Sequence, residues 1–213
     1  IALLVRQALE QPEQRVALIT PDRGLAGRVV QHLTRWNIAA DDTAGRPLAQ
    51  TAAGRVLLLL AEVLARNAAP VELLALLGHP LVRRGEARAE WLKSVRALDL
   101  HLRGPRPAPG LASMALLARE AGQGGWWDEV SAILTPIQEA GERLGLAEAL
   151  DLLAAAGEAL CGVGLWERED GRTLARFVEG LRLHARTAGT TVSRDHLSQV
   201  LRDAMDRETV RPP

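Results

Sequence analysis

The chain has no tyrosine, one phenylalanine, one cysteine and one lysine. The lone Cys161 excludes an intrachain disulfide and any all-cysteine metal site, and it suits a reducing compartment, so a cytoplasmic location is expected. Apolar residues nowhere run on for the roughly 20 positions that a membrane-spanning helix needs, so no membrane contact is expected. The only lysine, Lys93, lies in Trp91-Leu-Lys93-Ser without a preceding glycine, which rules out a Walker-type phosphate loop. Five histidines occur, none in His-Glu-x-x-His spacing, and there is no Gly-x-Ser-x-Gly elbow. Net charge is absent too: 26 basic residues balance 26 acidic ones, so no global field draws the chain to a polyanion or a membrane.

What is present is length, aliphatic mass and arginine. With 213 residues and 47% hydrophobic composition, the chain can bury a sizeable core in one or two domains. It opens on Ile1 and stops at Val210-Arg-Pro-Pro213, which reads as a piece of a longer protein. The stretch from Arg15 to Ile38 is the only one with a clear strand signal. Val16 to Ile19 is a short apolar run that predicts a buried strand. Thr20 is suited to cap a helix, Pro21 to its first position and Asp22 to the positive end of its dipole. Leu25, Ala26, Val29, Leu33 and Trp36 then recur at helical spacing, with Ile38 as a possible next strand. Together these make one βα unit of an α/β domain.

The rest of the chain is helical in pattern. Ile1, Leu4, Val5, Ala8 and Leu9 share a helical face that Pro12 ends. Thr51 is placed to cap a helix through about Ala65, whose run Val56 to Leu60 predicts burial nearly all round. Pro70 starts a short helix that Gly78 closes. A stripe of Trp91, Leu92, Val95, Leu98 and Leu102 follows, then a stiff linker from Gly104 to Gly110. Thr135-Pro-Ile-Gln138 has capping-box form and predicts a helix restart at Pro136. Leu146, Leu150, Leu153, Ala154 and Gly157 form another stripe, and Leu174, Phe177, Val178, Leu181 and Ala185 the next. Ser193 is placed to cap a last helix.

Few of the chemical candidates rise above a structural role. The turn Thr20-Pro-Asp-Arg23 offers helix amides to an anion, but Asp22 occupies that mouth, so plain capping is expected. Asp41-Asp42 reads as a solvated turn, His79 as a helix C-terminal residue and Cys161 as a core hydrophobe. For Trp126-Trp127, one ring is expected in the core with the other half-covering it. Two arginine-rich groups carry more. Arg83, Arg84, Arg88, Lys93 and Arg96, continuing to Arg103 and Arg106, are candidates for contact with a nucleic-acid backbone, as are Arg168, Arg172, Arg176, Arg182 and Arg186. The competing reading of each is a solvated helix face of i,i+4 acid–base pairs.

The Arg15–Ile38 stretch, with Asp41-Asp42-Thr-Ala-Gly-Arg-Pro-Leu-Ala-Gln-Thr51 and Leu73-Leu-Ala-Leu-Leu-Gly-His-Pro-Leu81, resembles the middle of AddB, a subunit of the bacterial AddAB helicase–nuclease, in its alphaproteobacterial form. The likeness is most specific over residues 3–82, and Val210-Arg-Pro212 resembles the lead-in to the family's next helicase-derived block. The resemblance implies a fold that is mostly α with a small α/β part. Residues 1–82 would start a second RecA-like domain of superfamily-1 helicase type, and 83–213 would be a helical insertion domain. In active relatives an arginine just after the strand touches the nucleotide; Pro21 stands there, so ATP hydrolysis is not implied, and the role is not transferred to Arg23. The parent family uses ATP, magnesium and an iron–sulfur cluster, but the cluster needs several cysteine ligands and no cofactor is implied for this piece. Its implied partners are the AddA subunit, in a heterodimer, and single- and double-stranded DNA in the full complex. The implied role is a non-catalytic scaffold in double-strand-break processing. The alternative is a helical protein-interaction module without DNA contact.

Overall fold

The structure, a computed structural model, describes residues 1–104 and 107–211. Pro105 and Arg106, and Pro212 of the closing motif, lie outside the described residues. Among the described residues the protein is mostly helical with two small antiparallel sheets. It divides into two compact units, Ile1–Ala44 and Gly45–Arg211, and residues 82 and 83 both lie within the second.

In the first unit α1 (Ala2–Ala8) packs on α2 (Arg23–Thr34). Helix α2 begins later than Thr20 and Pro21 suggest. Asp22 is its N-cap, and the carboxylate accepts the Leu25 amide at 2.9 Å; Thr20 Oγ1 accepts the Asp22 amide at 3.1 Å instead. Asp caps at least as well as Thr, so the nearer carboxylate takes the orphan amide. At the other end Asn37 turns left-handed (φ 59°) and the Ile38 amide reaches back to the Leu33 carbonyl at 3.0 Å. Ile38 therefore closes the helix and starts no strand.

The strand expected at Val16–Ile19 does not form. These residues make no backbone hydrogen bond with any described residue, and Ile19 is 94% exposed. A strand exists by pairing with a neighbour, and no described segment hydrogen-bonds to this one. Helix α1 likewise buries none of its residues, and its apolar Leu3 and Leu4 stay exposed.

The second unit opens on β1 (Arg46–Pro47), a single 3-10 turn, and α3 (Ala52–Ala65). As expected, Thr51 caps α3: its hydroxyl accepts the Gly54 amide at 3.2 Å. Val56, Leu57, Leu58 and Leu60 are all buried, because α4 (Pro70–Leu77), α8 (Leu146–Cys161), α9 (Glu169–Ala188) and α10 (Leu197–Met205) pack around this helix. Between them run α5 (Arg88–His101), α6 (Leu111–Glu120) and α7 (Gly124–Gln138). Helix α7 runs straight through Pro136, against the expected restart. Val130, Leu134 and Ile137 form one continuous buried stripe across it, and the Thr135 hydroxyl donates to the Ser131 carbonyl at 2.7 Å rather than capping a new helix. A proline in the last turn costs one backbone bond, which that stripe outweighs.

Strands β2 (Arg143–Gly145) and β3 (Thr191–Ser193) pair antiparallel with Leu144 opposite Val192, both facing the core. Ser193 sits in that ladder and makes no side-chain cap; a 3-10 turn separates it from α10. The unit ends on β4 (Thr209–Val210), which pairs antiparallel with β1, Arg46 opposite Val210. The Leu48 amide adds a bond to the Glu208 carbonyl at 2.8 Å. The chain thus enters and leaves the second unit at one place.

Close approach at α3 requires a glycine. A Cβ on Gly54 would lie 1.9 Å from the Leu48 carbonyl oxygen, whereas one on Gly180, in mid-α9, would meet nothing within 4 Å. Gly54→Ala is expected to lower stability by about 1–3 kcal/mol through overpacking. Gly180→Ala should raise it by about 0.5–1 kcal/mol by removing backbone freedom. Urea-unfolding midpoints of the two variants should move in opposite directions.

Candidate nucleic-acid interface

The first arginine group sits where α4 hands over to α5. The carbonyls at the end of α4 have no intrahelical partner. Trp91 Nε1 donates to the Leu77 carbonyl at 2.8 Å, and Arg88 Nη2 to that of Gly78 at 3.3 Å. Arg88 Nη1 also donates to the carbonyls of His79 at 3.0 Å and Val82 at 2.7 Å. A cation at the start of α5 opposes that helix's own dipole, but it complements the negative end of α4. His79 is buried, and its Nδ1 accepts the Leu81 amide at 3.3 Å. Burial, and then the positive charges of Arg55 and Arg88, push its imidazole down to about 4.

Arg83 adopts a left-handed backbone (φ 47°) and holds its guanidinium 5.2 Å from the centre of the Trp91 ring while pairing with Glu129. Trp91 meets Trp126 edge-on at 5.3 Å, and Trp126 meets Trp127 at 6.1 Å. Trp127 is fully buried and Trp126 partly so, as the sequence suggested. Lys93 pairs with Glu90 at 2.6 Å on the outer face of α5, and Arg103 with Asp99 at 2.9 Å. Arg84 and Arg96 are exposed, and their side chains make no hydrogen bond or ion pair with a described residue. The five candidates therefore separate. Arg83 and Arg88 hold the fold together, Lys93 is half of a surface pair, and Arg84 and Arg96 are free cations.

The second group is mostly neutralised. Arg182 and Arg186 both bind Asp151, at 2.9 and 3.0 Å, joining α9 to α8, and Arg182 also pairs with Glu179. Hydrogen bonding from Arg182 holds the Asp151 carboxyl below its ordinary range. Arg172 pairs with Glu169 at 2.5 Å, and Arg176 donates to Thr173. Next to Asp151 lies an open groove of about 600 Å³, walled by Gly145, Glu148, Leu152, Arg186 and Thr191.

The phosphate-type corner is closed by its own residues. Asp22 occupies the α2 N-terminus, and Arg23 grips Asp42 through two hydrogen bonds of 3.0 and 2.7 Å. Burial pushes the Cys161 thiol up to about 12, which keeps it protonated at neutral pH. Among the described residues no group of three or more His, Cys, Asp or Glu side chains is placed to hold a metal ion. No helix among them is long and apolar enough to cross a membrane.

Comparison with known families, with curated proteins and with solved structures gives no match to this chain.

Two outcomes follow from the α4–α5 junction. Arg88→Ala should lose about 2–3 kcal/mol, since it strands the Gly78 and Val82 carbonyls while that of His79 keeps the Val82 amide, whereas Arg84→Ala and Arg96→Ala should stay within about 0.5 kcal/mol of the parent in denaturant melts. His79 has its folded pKa depressed from 6.5 to about 4, so the unfolded chain binds the extra proton between those values. Its contribution is complete above pH 6.5 and is lost as pH falls toward 4, by at most about 3 kcal/mol. A His79→Asn variant should flatten that limb of the stability–pH curve.

Proposed function

We propose that this chain is a non-catalytic, helicase-derived scaffold segment of an AddB-type subunit, serving an ATP-dependent helicase–nuclease that processes DNA double-strand breaks. The observation that carries this reading is the β1–β4 closure. A helical body whose two ends meet on one antiparallel pair is built like a domain inserted into a host, because the host chain continues across the junction with little displacement. In this reading the first unit belongs to the host, a RecA-like domain. Its unpaired, exposed Val16–Ile19 run, apolar on both faces, has the composition of a strand from the middle of a sheet covered on both sides. A missing Walker loop and an α2 mouth filled by Asp22 agree with the absence of a working nucleotide site. AddA and DNA are the partners, and the parent complex supplies the ATP, magnesium and iron–sulfur chemistry.

A second reading, a helical interaction module without DNA contact, draws on the engagement of Arg83, Arg88 and Lys93 in contacts within the fold.

Three measurements on the purified chain separate the possibilities. We expect capture by purified AddA, binding of a labelled oligothymidylate that weakens steeply with salt, and no heat of ATP binding in the micromolar range. Micromolar ATP binding, or failure to bind both AddA and DNA, would overturn the proposal. AddA capture without DNA binding would favour the second reading.

A further inference from the structure

Helix α2 differs from the other charged helices. On α5 and α9 the exposed cations are interleaved with carboxylates and mostly paired to them. Helix α2 contains no acidic residue, yet Arg28 and His32 are exposed along it and Arg35 continues the same face one turn on. The spacing i, i+4, i+7 puts the three on one side, with Arg28 and Arg35 about 10 Å apart along the axis. Neither arginine's side chain makes a hydrogen bond or ion pair with a described residue. Packing of α1 adds a third cation, since Arg6 sits 5.0 Å from the centre of the Trp36 ring. That ring lies 6.5 Å from the exposed imidazole of His32. Asp22 and Asp42 are engaged at the opposite end of α2, with Arg23 and the cap, about 18 Å along the axis from Arg35.

We propose that Arg6, Arg28 and Arg35, with the His32 and Trp36 rings among them, form a binding surface for the phosphate backbone of single-stranded DNA. A row of unpaired guanidinium groups releases counterions from a phosphate chain, and planar rings between them offer faces on which unpaired bases stack. A duplex keeps its bases inside and gains only the charge contacts. This assignment rests on the reading of the chain as a DNA-contacting scaffold, and it moves the contact from the α4–α5 junction to α2.

The test uses the whole chain and a labelled oligothymidylate, titrated at several salt concentrations. Arg28→Ala/Arg35→Ala should weaken binding at least about 10-fold and flatten the log K against log salt slope by about 1.4, at roughly 0.7 per phosphate contact on a single strand. His32→Ala should weaken binding without changing that slope. Arg84→Ala/Arg96→Ala should bind like the parent chain. If the parent binds and the Arg28/Arg35 variant binds equally well with an unchanged slope, the surface is wrongly assigned and the scaffold reading stands. Equal affinity for a duplex of the same length overturns the single-strand assignment. No binding by the parent at low salt overturns this proposal and the DNA-contacting reading together. Far-ultraviolet circular dichroism should give the same spectrum for every variant, since all the replaced arginines are exposed.

Discussion

Burial of α3 on all but one narrow stripe is the constraint on which the larger unit depends. A helix whose polar residues are confined to Arg55 and Glu62 on one narrow stripe has no stable place at a surface, so other elements must cover the rest of it, and four helices do. Each of its fully buried leucines is worth about 1.5–3 kcal/mol relative to exposure, and that gain holds the surrounding helices in register. The demand extends to backbone distances. The chain entering α3 passes so close to Gly54 that the Leu48 carbonyl leaves no space for a methyl group. Met205, on α10, packs at the same spot, so the first and last helical segments of the unit meet where the β1–β4 pair closes it.

The near-total use of arginine over lysine has a structural consequence. A guanidinium carries several donors in a rigid plane, so one side chain can satisfy several acceptors whose positions are already set. Arg88 does this for three carbonyls beyond α4. Arg194 does it for Leu64 at 2.8 Å and Ala140 at 3.5 Å, joining the ends of α3 and α7. Arg182 and Arg186 share one carboxylate of α8. An ammonium group would leave some of these acceptors unmet. Charge in this protein therefore has two uses, internal cross-linking and exposed surface, and a count of basic residues per segment does not separate them.

The same division explains how far the sequence could be read. Features set by a residue and its immediate neighbours were legible: Thr51 as a cap, Pro70 as a helix start, the buried run in α3, and Trp127 inside with Trp126 half-covering it. The basic cluster at 83–96 was legible as charge but not as a set of contacts within the fold. Arg88 meets its carbonyls only because α4 turns back on α5, and Arg83 meets Glu129 only because α7 lies alongside. The α2 face escaped notice for a related reason. Two arginines and a histidine over eight residues give a weak sequence signal, and Arg6 joins them only through packing. A search for helices that carry cations and no acid would have found it.

Local chemistry in the chain decided where helices start, which helix must be covered, and that no lysine-bearing phosphate loop exists, since each of these depends on side chains a few positions apart. Tertiary structure alone decided the rest. It left Val16–Ile19 without a strand, because pairing needs a neighbour that no nearby residue can supply. It carried α7 through Pro136, because a continuous buried stripe outweighs one lost hydrogen bond. It also sorted the arginines into bound and free, because the groups that neutralise them arrive from distant parts of the chain.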